Sequence, residues 1–97
     1  MGATPFQNFA TGTSAKAAFN GVTDQALYDY GHAGYTGTIA EKHNFVHVGT
    51  VKTKKEAFEL ANRLDEENDP RCTDKWGPCG CITIEEGGYL FFGWASV

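Results

Sequence analysis

Ninety-seven residues, 41% apolar and 21% charged, with a formal net charge of −4, describe one ordinary globular domain over residues 1–97 rather than two domains or a disordered chain. The acidic balance disfavours sequence-independent binding of duplex nucleic acid, which needs a positive footprint. No apolar run approaches the ~18 residues of a membrane span, and the N-terminus shows no basic segment leading into an apolar stretch, so the chain is expected to act in the cytoplasm of the cell that makes it.

Thr4 to Thr11, with Phe6 and Phe9 among small polar residues, reads as a strand. Pro5 confines its start to an edge or an end, because proline has no N–H to donate to a ladder. Gly12, Thr13 and Ser14 break the strand, and Thr13 or Ser14 can cap a helix beginning at Ala15. Ala15, Ala18, Phe19, Val22, Ala26 and Tyr30 recur at steps of three and four, the spacing of a helix with one buried stripe. Gly31 is a stop signal, and His32 to Gly37 is a glycine-rich loop. Thr38 to Lys42 and Phe45 to Val48 read as two strands of a hairpin around His43-Asn44.

Thr53-Lys54-Lys55-Glu56 matches a capping box, in which the Thr and Glu side chains each satisfy the other's open amide. The helix it opens carries Ala57, Leu60, Ala61 and Leu64 on one stripe, and Asp69-Pro70 requires it to end near Glu67 or Asn68. Arg71 to Gly80 is irregular. Cys81 to Glu85 alternates, Glu86-Gly87-Gly88 is a tight turn, and Tyr89 to Val97 returns as the second strand of a hairpin. The expected fold is α+β, in the order β-α-β-β-α-β-β: a four- to five-stranded antiparallel or mixed sheet with two helices on one face. The far face would then be bare. Phe91 and Phe92 must point to opposite faces, so a homo-oligomeric or partner interface is expected around Tyr89, Phe91 and Trp94.

Three motifs carry possible chemistry. Cys72, Cys79 and Cys81 are an odd set, which argues against a disulfide framework in the cytoplasm. Cys79-x-Cys81 is tighter than the usual zinc pair. The expectation is reduced thiols without a metal or cofactor, although His32, His43, His47, Asp69 or Asp74 leave a fourth ligand open. No spacing singles out a nucleophile with its base, and Glu41, Glu85 and Glu86 read as surface carboxylates, so no catalytic residue is assigned and the chain is read as a non-enzyme. Lys52, Lys54 and Lys55 read as a solvated first helical turn. In His32 to Thr38, the glycines let a ligand approach the backbone. Amides and hydroxyls of Tyr35, Thr36, Gly37 and Thr38 can hold phosphate, with Lys42 adding charge, although the P-loop spacing is absent. Lys75 and Trp76, in Asp74-Lys75-Trp76-Gly77-Pro78, can add a charge and a stacking ring. The competing reading makes both segments plain structural loops.

Tyr28-Asp29-Tyr30-Gly31-His32 leading into Gly34-Tyr35-Thr36-Gly37-Thr38-Ile39-Ala40-Glu41-Lys42, then Asp74 to Pro78, then Phe91-Phe92-Gly93-Trp94-Ala95-Ser96, together resemble a family of small uncharacterised bacteriophage accessory proteins. The resemblance assigns no functional residue. It implies a protein made in the cytoplasm of a bacterial host, and small phage proteins of this kind often counter host defence. The function expected is a non-enzymatic inhibitor that sequesters a nucleotide-derived signal or blocks a defence protein. The alternative is a homo-oligomeric interaction module without a small ligand.

Overall fold

Apolar side chains fill both faces of the two strands at the centre of the sheet, and this decides the architecture. The computed structural model describes residues 3–30, 39, 42, 44–67 and 77–96. Within them run β1 (Ala3–Ala10), α1 (Ala15–Tyr30), β2 (Phe45–Val51), α2 (Lys54–Glu66), β3 (Cys79–Ile84) and β4 (Tyr89–Ser96). The four strands form one mixed sheet in the order β1-β4-β3-β2. β4 pairs antiparallel with both β1 and β3, whereas β2 and β3 are parallel and joined through α2.

The β3–β4 hairpin sets the frame. Its register places Cys81 opposite Phe91 and Ile82 opposite Leu90. Successive side chains alternate between faces. Cys79, Cys81, Phe91 and Ala95 therefore share one face, where Phe6 of β1 joins them under Ala18, Phe19 and Ala26 of α1. Ile82, Ile84, Leu90 and Phe92 share the other, under Ala57, Ala61 and Leu64 of α2.

The helices thus lie on opposite faces of the sheet, not together on one as the sequence suggested. Phe91 and Phe92 are both fully buried, each beneath its own helix. Strands buried on both sides read as continuous apolar runs, and Leu90-Phe91-Phe92 is such a run. The bare apolar face expected to support an interface does not exist over these strands.

The expected hairpin between Thr38–Lys42 and Phe45–Val48 is also corrected. Ile39 sits in a 3₁₀ turn whose carbonyl accepts from the Lys42 amide at 2.9 Å. β2 takes β3 as its partner instead and extends to Val51. Thr38, Ala40, Glu41 and His43 lie outside the described residues. Among the described residues the order is therefore β-α-β-α-β-β.

Local signals behave as their chemistry requires. Ser14 caps α1, its Oγ accepting from the Ala17 amide at 3.2 Å. Thr53 caps α2 in extended conformation, accepting from the Glu56 amide at 3.2 Å. Thr53→Ala should cost about 1 kcal/mol, seen as a fall of roughly 4–8 °C in the thermal midpoint of a domain this size. The two outer strands of the sheet are both poor templates for strand addition. β1 carries Pro5, and the pairing of β2 slips between His47 and Gly49 at a bulge.

Candidate functional site

In sequence, the segments proposed as a ligand site precede β2 and β3. Tyr35, Thr36, Gly37, Thr38, Lys75 and Trp76 lie outside the described residues, and Lys42 is the member of that set that is described. Lys42 is 4% exposed, and its Nζ donates to the carbonyl of Gly77 at 2.8 Å. A lysine buried in this way is satisfied by fixed acceptors rather than by a solvated anion. The side chain expected to face a phosphate instead ties residue 42 to residue 77, next in the chain to Trp76. Nearby, Asn44 accepts from the Cys79 amide through its carbonyl at 3.2 Å, and its Oδ1 accepts from the Phe45 amide at 2.8 Å. These bonds lock the starts of β2 and β3 together.

A cleft opens beside this locked corner. It has a volume of about 280 Å³ and is lined by Lys16, Phe19 and Asn20 of α1 and by Asn44 and Phe45 at the start of β2. Lys16 and Asn20 are one helical turn apart, so they share a face of α1. The Phe19 and Phe45 rings meet at 5.1 Å between centroids, and both contact Phe91. A cation, two amides and the edge of an aromatic cluster therefore converge within two residues of Lys42. Sequence reading missed all five residues as a site. The available signal was the Lys16–Asn20 spacing beside Phe19.

The residues expected at an interface are separated by the sheet. Phe91 is in the core beneath α1, with half-buried Tyr89 stacked 6.4 Å away on the same face. Trp94 projects to the α2 face, where its indole hydrogen-bonds Asp65. The three cannot form one patch.

Cys79 and Cys81 have no exposed surface and pack under α1. Burial pushes the Cys81 thiol up to about 11, so at neutral pH it is neutral and a poor nucleophile. Iodoacetamide at pH 8 should leave both unmodified in the folded protein and label both after denaturation, as read by peptide mass mapping. Cys72 lies outside the described residues. Among those described, no group of three His, Cys, Asp or Glu side chains is placed to hold a metal ion.

At the opposite end of the sheet, the N-terminus of α2 is already supplied with an anion. Glu86 Oε1 accepts from the Lys54 amide at 3.3 Å, and Lys54 Nζ lies 4.2 Å from the centre of the Phe9 ring.

A second groove, of about 320 Å³, runs between β1 and α2 and is lined by Pro5, Phe6, Gln7, Asn62 and Asp65. Gln7 Nε2 donates to Asn62 Oδ1 across it at 2.7 Å. Burial raises the Asp65 carboxyl above its ordinary value, and the Trp94 hydrogen bond opposes that rise only in part. A raised carboxyl binds its proton more readily folded than unfolded, so its ionisation works against folding at neutral pH. That penalty disappears as pH falls through the raised value to below the ordinary carboxylate range. Asp65→Asn should melt higher than the parent at pH 7, and the gap should close as the buffer is taken to pH 4.

No protein-family model matches this sequence, no curated protein matches it, and no solved structure matches the fold. Among the described residues, no helix is long and apolar enough to cross a membrane.

Proposed function

We propose that this chain is a non-enzymatic binding protein that sequesters a nucleotide-derived signal, as small phage proteins that counter bacterial defence often do; the uncharacterised phage accessory proteins it resembles supply that context and no activity. The observation that carries the reading is the cleft of Lys16, Asn20, Asn44 and Phe45. Its Asn44 is bonded through its carbonyl to the Cys79 amide, two residues from each partner of the Lys42–Gly77 bond.

The chemistry of these groups suits a nucleotide. Lysine ammonium and backbone amides hold phosphate oxygens. Asparagine amides match the donor and acceptor edges of a base. Aromatic faces stack on bases at little conformational cost. Lys42 Nζ is committed to the Gly77 carbonyl, and Lys16 replaces it as the charge presented to the ligand.

The test is a thermal-shift screen of the purified chain against cyclic mononucleotides, cyclic dinucleotides and cyclic trinucleotides. It is paired with mass spectrometry of any nucleotide released when protein taken from bacterial cells is denatured. A ligand at a hundred times its Kd adds about 2.7 kcal/mol to stability, a rise of several degrees. Lys16→Ala and Asn20→Ala, both at exposed positions of α1, should each shrink that rise while leaving the unliganded midpoint near the parent's. No shift with any nucleotide and no nucleotide released would remove the reading.

A further inference from the structure

The groove between β1 and α2 holds an unexplained acceptor. Asp65 Oδ1 is buried and has no hydrogen-bond partner among the described residues, while the Trp94 side chain hydrogen-bonds the same carboxyl group. A buried polar atom without a partner is uncommon and points to a group the site is built to receive. The charges around it agree on the kind of group. α2 ends at Glu66, so Asp65 lies in its last turn, where the helix dipole is negative. Glu66 and Glu67 follow it, both exposed. Arg63, the cation in that turn, is paired with Glu67 at 3.9 Å rather than with Asp65.

We propose that this groove is a docking site for an arginine side chain of a partner protein. A guanidinium presents several N–H groups in a planar fork and can meet a carboxylate and neighbouring amide carbonyls together. Asp65 and Asn62 on α2 and Gln7 on β1 supply that set of acceptors from the two walls of the groove, and Pro5 lines it beside them for the methylene stem. The Gln7–Asn62 bond across the groove joins two exposed side chains, so it exchanges for ligand contacts at small cost. The groove's volume, about 320 Å³, is enough for one inserted arginine side chain. Strand addition at this edge is blocked at Pro5, which has no N–H, so the partner reaches the groove with a side chain rather than with its backbone.

The site is independent of the nucleotide cleft, which lies on the α1 face. The probe is N-acetyl-arginine amide, titrated into nitrogen-labelled protein while the Trp94 indole N–H resonance is followed. N-acetyl-lysine amide and free arginine are run in parallel. The arginine amide should move the resonance saturably and bind about tenfold or more tighter than the lysine amide, because a point charge cannot engage the three acceptors at once. It should also bind at least as well as free arginine, whose own carboxylate would meet the acidic wall. Asp65→Asn should weaken it about tenfold or more while keeping the Trp94 acceptor and the fold. Asn62→Ala, a surface change, should weaken it as a second and separate check. Absence of a saturable shift overturns the proposal, as does equal binding of the lysine amide, tighter binding of free arginine, or affinity unaffected by both substitutions.

Discussion

Phe91→Ala and Phe92→Ala should each destabilise the fold by about 3–5 kcal/mol, the range for emptying a buried phenylalanine site. Domains of this size hold only about 5–15 kcal/mol in total, so either variant should melt near or below room temperature or fail to accumulate. Neither ring has any exposed surface, so neither variant can be rescued by water filling an already wet site. Phe91 also makes edge contacts with Phe19 and Phe45 at 5.5 and 5.6 Å, and pairs of this geometry add about 0.5–1.5 kcal/mol beyond area burial.

The two losses fall on different helices. Phe91 supports α1 from one face and Phe92 supports α2 from the other. The milder Phe91→Leu and Phe92→Leu variants should keep the fold and show this directly. Amide exchange should quicken in α1 for the first and in α2 for the second. If Phe92→Leu loosened α1 instead, or if either alanine variant cost under about 1 kcal/mol, the two-sided cover would be wrong.

Much of this fold is legible in the chain because it is local. Thr53 to Glu56 specifies the start of α2, Ser14 the start of α1, and Gly87-Gly88 the last hairpin, each through bonds spanning a few residues. What sequence reading misplaced is not local. Helical stripes show that two helices need apolar cover but not which face supplies it. That answer lay in Leu90-Phe91-Phe92, a run too apolar for a strand with one wet side. The pairing of β2 with β3 depends on a crossover through α2, and nothing in Phe45 to Val48 distinguishes a parallel partner from the antiparallel one expected at Thr38–Lys42. The candidate sites divide in the same way. Lys42 was recognisable as a residue of interest, yet only the fold shows its ammonium turned to Gly77. Asp65 lies four residues after Ala61 and so on the flank of the buried stripe, a position where a carboxylate should have drawn notice. Gln7 reaches the groove from a strand fifty-five residues away from Asn62 in sequence, which no periodicity encodes.

Gly88→Ala should cost about 2–4 kcal/mol, the largest effect expected from a single added methyl, and Gly88→Val more. Two separate penalties combine. Gly88 has φ +101°, a conformation that costs a residue with a side chain about 1–3 kcal/mol. A Cβ there would also stand 2.7 Å from Cζ and 2.8 Å from Cε1 of Phe9, and 3.1 Å from the carbonyl oxygen of Ala10. The Phe9 ring is exposed and lies under the Lys54 ammonium, so moving it costs that contact, whereas the carbonyl belongs to β1 in the β1–β4 ladder and does not yield freely. The Gly88 carbonyl further accepts from the Ile84 amide at 3.1 Å, closing the hairpin that positions Leu90, Phe91 and Phe92. Gly87 separates the two penalties. Its φ is +130°, yet an added Cβ would meet nothing within 4 Å, so Gly87→Ala should carry the backbone strain alone and cost measurably less. Urea melts of the two variants decide the matter: equal losses would mean that Phe9 swings aside without cost, and the close packing of β1 against the hairpin would then contribute nothing to stability.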